Sequence, residues 1–495
     1  MKKLISLFLC IILLFSIIPA ELVGYSEDSP ITVTVNGQPI PFDQPPVLME
    51  GRTLVPIRGV IEAMNGTVDW NEEAKTTTLT LGYDVIQLTI GSDTATVNGV
   101  AYELDVPPQI INDRTLLPIR FIAENFHFRV DWNEETKTVI ISTLSSEEVL
   151  VSHLMSQMTL SEMIYQMLFV TPEALTNVGQ VVSAGETTKQ ALQRHPVGGI
   201  VYFAANLENR QQTIEMIQNS QSYSKIPLFI SVDEEGGLVS RLGKNSAMGT
   251  TYHPPMRTIG DTYNPQNAYQ IGTTLATELK EIGFNVDFAP VADVIIDERN
   301  TEIGNRSFGT DPYNVANMVE SAVKGMEEHG LSAALKHFPG HGSTYVDTHT
   351  GYSSSYRTLD QLRENEFLPF AKGIEAGVDF IMVSHMTLVN ATQEKVPSSI
   401  SKEVITDWLL GELGYRGIVI TDSFSMGAIT QEYSQEEAVT KAISAGVDMI
   451  LMPPNVETAH NAILSAVESG VVSRERIERS VRKILLLKAQ KGLLN

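Results

Sequence analysis

The sequence predicts an α/β protein in which a (β/α)8 barrel of the TIM type follows a small α+β tandem-repeat module. Three observations point to this arrangement. Segments between residues 31 and 143 recur at one fixed spacing. From about Ser145 onward, eight short apolar runs alternate with amphipathic helical stretches. Polar and charged residues then follow immediately after those apolar runs, where barrel enzymes carry their reactive groups.

The chain of 495 residues has room for one large barrel and a smaller partner. At 43% hydrophobic and 19% charged residues it has ordinary globular composition, which excludes collagen-like, disordered and disulfide-scaffold classes. Lys and Arg total 35 against 59 Asp and Glu, a formal charge of -24, so phosphate backbones are repelled and nucleic acid is excluded as a partner.

Met1, Lys2 and Lys3 precede an apolar run from Leu4 to Ala20, and Pro19-Ala20 before Glu21 offers a cleavage point. Residues 1–20 therefore read as a secretory signal peptide, and the protein as secreted or held at the cell surface or cell wall. Retention of this segment as an anchor is the alternative. The single cysteine, Cys10, lies inside the run behind bulky Leu9, which disfavours lipidation. Without Cys10 the chain has no cysteine, so disulfides, thiolate nucleophiles and Cys-ligated zinc drop out.

The repeat occupies residues 31–143. Thr34-Val35-Asn36-Gly37 returns as Thr96-Val97-Asn98-Gly99, a shift of 62 positions. The run Arg52 to Arg58 returns as Arg114 to Arg120, and Asp69-Trp70-Asn71-Glu72 as Asp131-Trp132-Asn133-Glu134. Asn-Gly between β-rich runs predicts a tight hairpin, Phe121 to Asn125 a short helix, and Thr76 to Leu81 a strand. Trp70 and Trp132 are able to stack on sugars, but their matched places beside Val68 and Val130 assign them to the core. The module resembles the copper-amine-oxidase N-terminal-like repeat domain. With His127 as its one histidine and no cysteine, copper is not expected, and the module reads as a spacer or a unit contacting cell-wall polymer.

Residues 145–495 supply the barrel. The expected strands are Met167 to Val170, Gly199 to Phe203, Leu228 to Val232, Val286 to Ala289, Ser332 to Leu335, Phe380 to Ser384, Ile418 to Thr421 and Met449 to Met452. Helices are expected at Asn267 to Ile282, Val315 to His329, Glu364 to Ala376 and Glu436 to Ala445. The basic stretch Arg474 to Lys491 reads as a solvated helix face closing the barrel. A doubly wound open sheet is the alternative, but no Gly-x-Gly-x-x-Gly loop follows the first strand.

The third apolar run ends in Asp233-Glu234-Glu235-Gly236-Gly237. The fourth leads to Asp293, the fifth to Lys336-His337-Phe338-Pro339-Gly340-His341-Gly342, the sixth to His385 and the seventh to Asp422. Such a ring of charge is costly inside a core and makes sense around a polar ligand. Beyond Gly342 and four intervening residues, Asp347-Thr348-His349 places an acid and an imidazole two residues apart.

These motifs, with Asn305-Arg306-Ser307-Phe308-Gly309 and Ile420-Thr421-Asp422-Ser423, resemble glycoside hydrolase family three, and within it the bacterial β-N-acetylglucosaminidases. The resemblance runs from Met158 to the terminal helix. It implies that Asp422 is the nucleophile of a retaining double displacement, and that His349, oriented by Asp347, is the acid/base. It implies further that Asp233, Arg241, Arg306, Lys336 and His337 hold the sugar, with no cofactor or metal. An imidazole with an ordinary pKa near ~6.5 suits an acid that next acts as a base. The chain ends soon after the last helix, which places the acid/base in the barrel rather than in a second domain. Leu238 departs from the family, where Arg commonly follows the two glycines; Thr348 replaces the usual Ser.

Other readings accompany this one. His337, His341, Asp347 and His349 include common metal-ligand types, but Lys336 beside them opposes a cation. His341 reads as a loop-shaping residue, His385 as lining the substrate site or packing in the core, and Glu234 and Glu235 as scaffold for the Gly turn. Carbohydrate is the expected partner: terminal N-acetylglucosamine on cell-wall (peptidoglycan) fragments or chitooligosaccharides. A phosphorylase, a β-glucosidase or β-xylosidase, and a non-catalytic wall-binding protein are the alternatives.

Overall fold

The computed structural model describes residues 30–344 and 353–494. The apolar run Leu4 to Ala20 lies outside them, as do Asp347 and His349. The chain divides into two compact units, one ending at Ser145 and one beginning at Ser146.

The first unit is built from the repeat. Each copy contributes a strand, Arg52–Pro56 and Arg114–Pro118, that runs directly into a seven-residue helix, Ile57–Ala63 and Ile119–Asn125. The two equivalent strands pair antiparallel, Val55 opposite Leu117, so the copies share one sheet. Asn36 and Gly37 turn with φ of 49° and 77°, and Asn98 and Gly99 with 51° and 83°, the left-handed pair a tight hairpin needs. Strand Thr32–Val35 closes the unit by pairing parallel with Thr138–Thr143. Val33, Val55, Ile61, Leu79, Leu117, Ile122 and Ile141 form its core. Neither tryptophan belongs to that core: Trp70 is half-buried and Trp132 is 39% exposed. The core assignment from their matched positions is therefore corrected. Each tryptophan shares a strand face with the valine two residues before it, but the core gives out along that face: Val130 is buried and Trp132 exposed, while Val68 and Trp70 are both half-buried.

The second unit is the barrel. Its eight strands are β1 (Leu168–Val170), β2 (Gly199–Val201), β3 (Phe229–Val232), β4 (Val286–Asp287), β5 (Ser332–Phe338), β6 (Phe380–Val383), β7 (Ile418–Thr421) and β8 (Ile450–Leu451). All neighbours are parallel and follow chain order from β1 to β7, with β8 beside β1. A parallel bridge between Ile420 and Met449 joins β7 to the start of β8 and brings the ring to closure. The open-sheet alternative is thereby set aside. The strands are almost continuously buried, as in a sheet covered on both faces, and Phe169 and Phe288 meet at 5.3 Å between ring centres.

Helices between the strands begin with local signals. Asn264 and Asp311 accept backbone N–H groups of Gln266 and Tyr313, and Pro265 and Pro312 occupy the first helical positions of Pro265–Ile282 and Pro312–Glu327. The helix expected at Glu364 to Ala376 is instead two, Leu359–Glu364 and Phe367–Glu375. The break lets Glu366 turn inward, where its carboxylate accepts two hydrogen bonds from the Arg357 guanidinium at 2.8 and 2.9 Å.

The terminal helix Arg474–Gln490 presents Arg474, Arg479 and Arg482 to solvent, as expected, but turns other cations inward. Lys483 reaches Asp448 at 2.9 Å, and Lys491 lies between Glu327 and Asp379 at 2.5 and 2.7 Å. Lys488 is fully buried, with Nζ donating to Gln166 at 2.8 Å and lying 5.0 Å from the centre of the Phe229 ring. Counting basic residues missed this because the acidic and amide partners lie far away in sequence. Among the described residues no helix is long and apolar enough to cross a membrane.

Candidate active site

The polar segments after β3, β5, β6 and β7 all emerge at the C-terminal ends of parallel strands, hence at one end of the barrel. Asp233 directly follows β3. The next residues form a short hairpin, Glu234–Gly236 with Val239–Ser240, turned by Gly236 and Gly237 at φ of 91° and 54°. A side chain at Gly237 would stand 2.7 Å from the Pro255 Cα, so the turn requires glycine.

The two glutamates of this hairpin do different work. Glu234 accepts the Arg241 and Leu242 backbone N–H groups, each at 2.7 Å, the Gly243 N–H at 3.2 Å, and the Ser240 hydroxyl. It is the scaffold for the turn. Glu235 is instead the centre of a buried charge cluster. Arg306 donates to both its oxygens at 2.8 Å, and the Lys336 ammonium lies 2.6 Å from one oxygen and 2.7 Å from Asp233. Burial alone would raise the Glu235 pKa, but the charges of Arg306 and Lys336 outweigh it and hold the carboxyl well below the usual range. Burial opposes the Lys336 charge, yet Asp233 and Glu235 keep its pKa above the ordinary value. Reading Glu235 as turn scaffold is thus corrected: it fixes the two cations. Nothing in the spacing of Glu234 and Glu235 distinguishes them, because Arg306 arrives from a loop 71 positions away.

His337, also on β5, directs Nδ1 to the buried Asp293 carboxylate at 2.7 Å. The other Asp293 oxygen accepts the His337 and His341 backbone N–H groups at 3.2 and 2.6 Å. Burial pushes Asp293 upward, but the His337 imidazole reverses this and its pKa lies below the ordinary value. His341 bonds Thr344 through Nδ1 at 2.8 Å and shapes the loop. Gly342 follows because a Cβ there would lie 1.8 Å from the Val294 carbonyl oxygen.

Asp422 stands at the end of β7. Its N–H donates to the Val383 carbonyl at 2.9 Å, and its Oδ1 accepts the Ser423 N–H at 2.7 Å. His385 lies buried behind it, with Nε2 donating to the Ser423 carbonyl at 2.9 Å and Nδ1 accepting from Ser399 at 2.8 Å. Burial lowers the His385 pKa, while the nearby Asp422 opposes that shift and His341 and His337 reinforce it. His385 is thus buried and held by the Ser423 backbone and the Ser399 hydroxyl beside the Asp422 segment.

Arg241 is set apart from the Glu235 cluster. Its guanidinium lies over the Phe203 ring at 5.7 Å, and its buried Nε has no hydrogen-bond partner among the described residues. Asp347 and His349 fall outside the described residues. On their flanks, the Ser343 and Ser355 hydroxyls meet at 2.7 Å and Ser354–Ser355 pairs with Thr387–Leu388.

Carboxylates, two fixed cations and imidazoles thus gather at one end of a parallel barrel, an arrangement suited to a polar ligand. Residues 159–487 match the model of the glycosyl hydrolase family 3 N-terminal domain, and the chain belongs to that family. Residues 34–141 match the copper amine oxidase N-terminal domain. The donor set there does not fit copper, since His127 is its one imidazole and, among the described residues, no three His, Cys, Asp or Glu groups converge. A β-hexosaminidase A of Pseudoalteromonas piscicida is 33% identical over 329 residues, 61% of this chain and 54% of that protein. The chain thus spans about half the length of that relative. A β-hexosaminidase of Stenotrophomonas maltophilia is 36% identical over 293 residues, 57% of this chain and 85% of the relative. The solved structure of a family 3 β-N-acetylglucosaminidase from a Paenibacillus species is 34% identical with a TM-score of 0.64, covering 68% of this chain and 63% of that one.

Proposed function

We propose that the protein is a retaining exo-β-N-acetylglucosaminidase, acting on terminal N-acetylglucosamine of cell-wall fragments or chitooligosaccharides. The observation that carries this reading is that Asp422 at the end of β7 and the charge cluster of Asp233, Lys336, Glu235 and Arg306, drawn from β5 and the segments after β3 and β4, lie at the same end of the barrel. The β-hexosaminidase relatives support the same sugar class.

In the first step the Asp422 carboxylate attacks the anomeric carbon while the His349 imidazolium gives its proton to the departing oxygen. In the second, the now neutral imidazole takes a proton from water, the water oxygen attacks the anomeric carbon, and the Asp422 carboxylate leaves. Asp347 orients His349. Asp233, Lys336, Arg306 and His337 hold the sugar hydroxyls from positions fixed by Glu235 and Asp293. A buried guanidinium N–H on Arg241 without a partner among the described residues suits a contact completed by substrate. Export belongs to the same reading and is supported by the basic and apolar start of the chain.

The test is a panel of aryl β-glycosides, with and without phosphate. Turnover of the N-acetylglucosaminide independent of phosphate is the expected outcome. Preference for a glucoside or xyloside would change the sugar assignment, and dependence on phosphate with release of a sugar phosphate would make the enzyme a phosphorylase.

A further inference from the structure

We propose that the N-terminal unit carries its own glycan-binding cleft, with Trp132 as the stacking platform for an uncharged N-acetylglucosamine chain. The choice of sugar rests on the function proposed for the barrel. The cleft itself rests on four observations within the first unit.

First, it is large enough. A cavity of about 1000 Å³ runs along this unit, room for several sugar rings, and its lining falls between Pro30 and Val139. Second, its aromatic wall is exposed yet held in place. Trp132 lies outside the core, and its indole N–H donates to Glu134 at 2.5 Å while Glu134 is tied to Lys137. A platform whose ring is fixed before binding loses little freedom when a sugar stacks on it. The first copy repeats the device, with the Trp70 indole donating to Glu72 at 2.7 Å and Glu72 tied to Lys75, but Trp70 does not line the cleft. Core packing does not account for an indole so placed.

Third, the rest of the wall pairs apolar and polar contacts. Leu48 is 66% exposed on the cleft, while Arg52 and Asp105 meet across it at 2.7 Å and present planar hydrogen-bonding groups of both signs. Sugars offer an apolar ring face and an equatorial rim of hydroxyls, which need both kinds of surface. Fourth, the charge selects among glycans. Carboxylates outnumber cations along the lining by five to three, which disfavours a polyanionic wall polymer and suits a neutral chain. A barrel that acts on chain ends gains from a neighbouring unit on the same polypeptide that holds the interior of the same polymer, because linkage raises the local concentration of ends.

Retention on insoluble chitin reads this cleft selectively, because an end-recognising barrel site finds few chain ends there. The full chain carrying Asp422→Ala, which leaves the polymer intact, is compared with the same chain carrying Trp132→Ala or Trp132→Phe. Circular dichroism and thermal unfolding confirm that each variant is folded. The expected result is retention on chitin, weakened about tenfold by Trp132→Ala and by less with Trp132→Phe, and little binding to hyaluronan, which alternates the same sugar with a carboxylate. Equal retention of parent and Trp132→Ala, absence of retention by the parent, or stronger binding to hyaluronan would each overturn the proposal. Aryl glycoside turnover by the unmutated chain is scored separately. If it fails while Trp132-dependent retention holds, the barrel's function is misread and the cleft stands; if it holds while retention fails, the reverse is true.

Discussion

The two units of this chain place their charges in opposite ways. In the first, ion pairs sit at the surface: Arg52 and Asp105 are 50% and 70% exposed, and Arg114 and Asp43 are 49% and 64% exposed. In the barrel, Lys336 and Glu235 are 3% and 1% exposed, Arg306 is 12%, and Asp293 is 0%. Exposed pairs contribute little in water, so the first unit is held by its apolar core and the hydrogen bonds of its paired repeat. A buried cluster costs several kcal/mol of desolvation per ion, of order ~3–5 kcal/mol when one partner is then removed. Such a cost is retained where the charges must be fixed for a ligand. The comparison therefore locates chemistry in the barrel and leaves the first unit a surface role.

The largest expected effect falls on Asp422. Replacing it with Ala should lower kcat on an aryl β-N-acetylglucosaminide by about 10⁴-fold or more while the fold persists, as steady-state kinetics and circular dichroism would register. Retention of more than a tenth of the activity would remove the nucleophile assignment.

Next comes the buried cluster. Glu235→Gln leaves Arg306 and Lys336 without their shared carboxylate and should cost about 3–5 kcal/mol in urea unfolding, together with a raised KM. A change below about half a kcal/mol would mean that the cluster is not the buried network described.

A smaller effect concerns the floor of the barrel. Burial lowers the Lys488 pKa to about 7, from 10.5 in the unfolded chain. Between those values the unfolded chain binds more protons than the folded one, so this group's contribution to stability rises with pH and is lost as pH falls toward 7. Over pH 7 to 9 the gain is about 2 kcal/mol, and Lys488→Met should abolish that part of the rise. Parallel pH–stability curves for the two proteins would contradict the buried, uncompensated lysine.

Smallest is the exposed pair of the first unit. Arg52→Ala should change stability by no more than about 1 kcal/mol, less at high salt. A loss comparable to that of Glu235→Gln would erase the contrast between the units.

The barrel was legible in the sequence because its signal is local: each apolar run of four or five residues became a parallel strand at or near its expected place, as with Phe380–Val383 and Ile418–Thr421. The module's Asn-Gly turns and paired Arg-to-Pro strands were equally local, since repetition displayed them twice. What could not be read depends on partners distant in the chain. Glu235 differs from Glu234 only through Arg306 and Lys336, and Lys488 only through Gln166 and Phe229. The helix break at Asn365 comes from Glu366 reaching Arg357, and the exposure of Trp132 from a core that ends at Val130, two residues earlier on the same strand face.

The measurement that tests the central claim most directly is the anomeric configuration of the first product. Proton NMR during hydrolysis of an aryl β-N-acetylglucosaminide should show β-N-acetylglucosamine appearing first, with the α-anomer following only by mutarotation. Immediate appearance of the α-anomer would contradict a glycosyl-enzyme on Asp422.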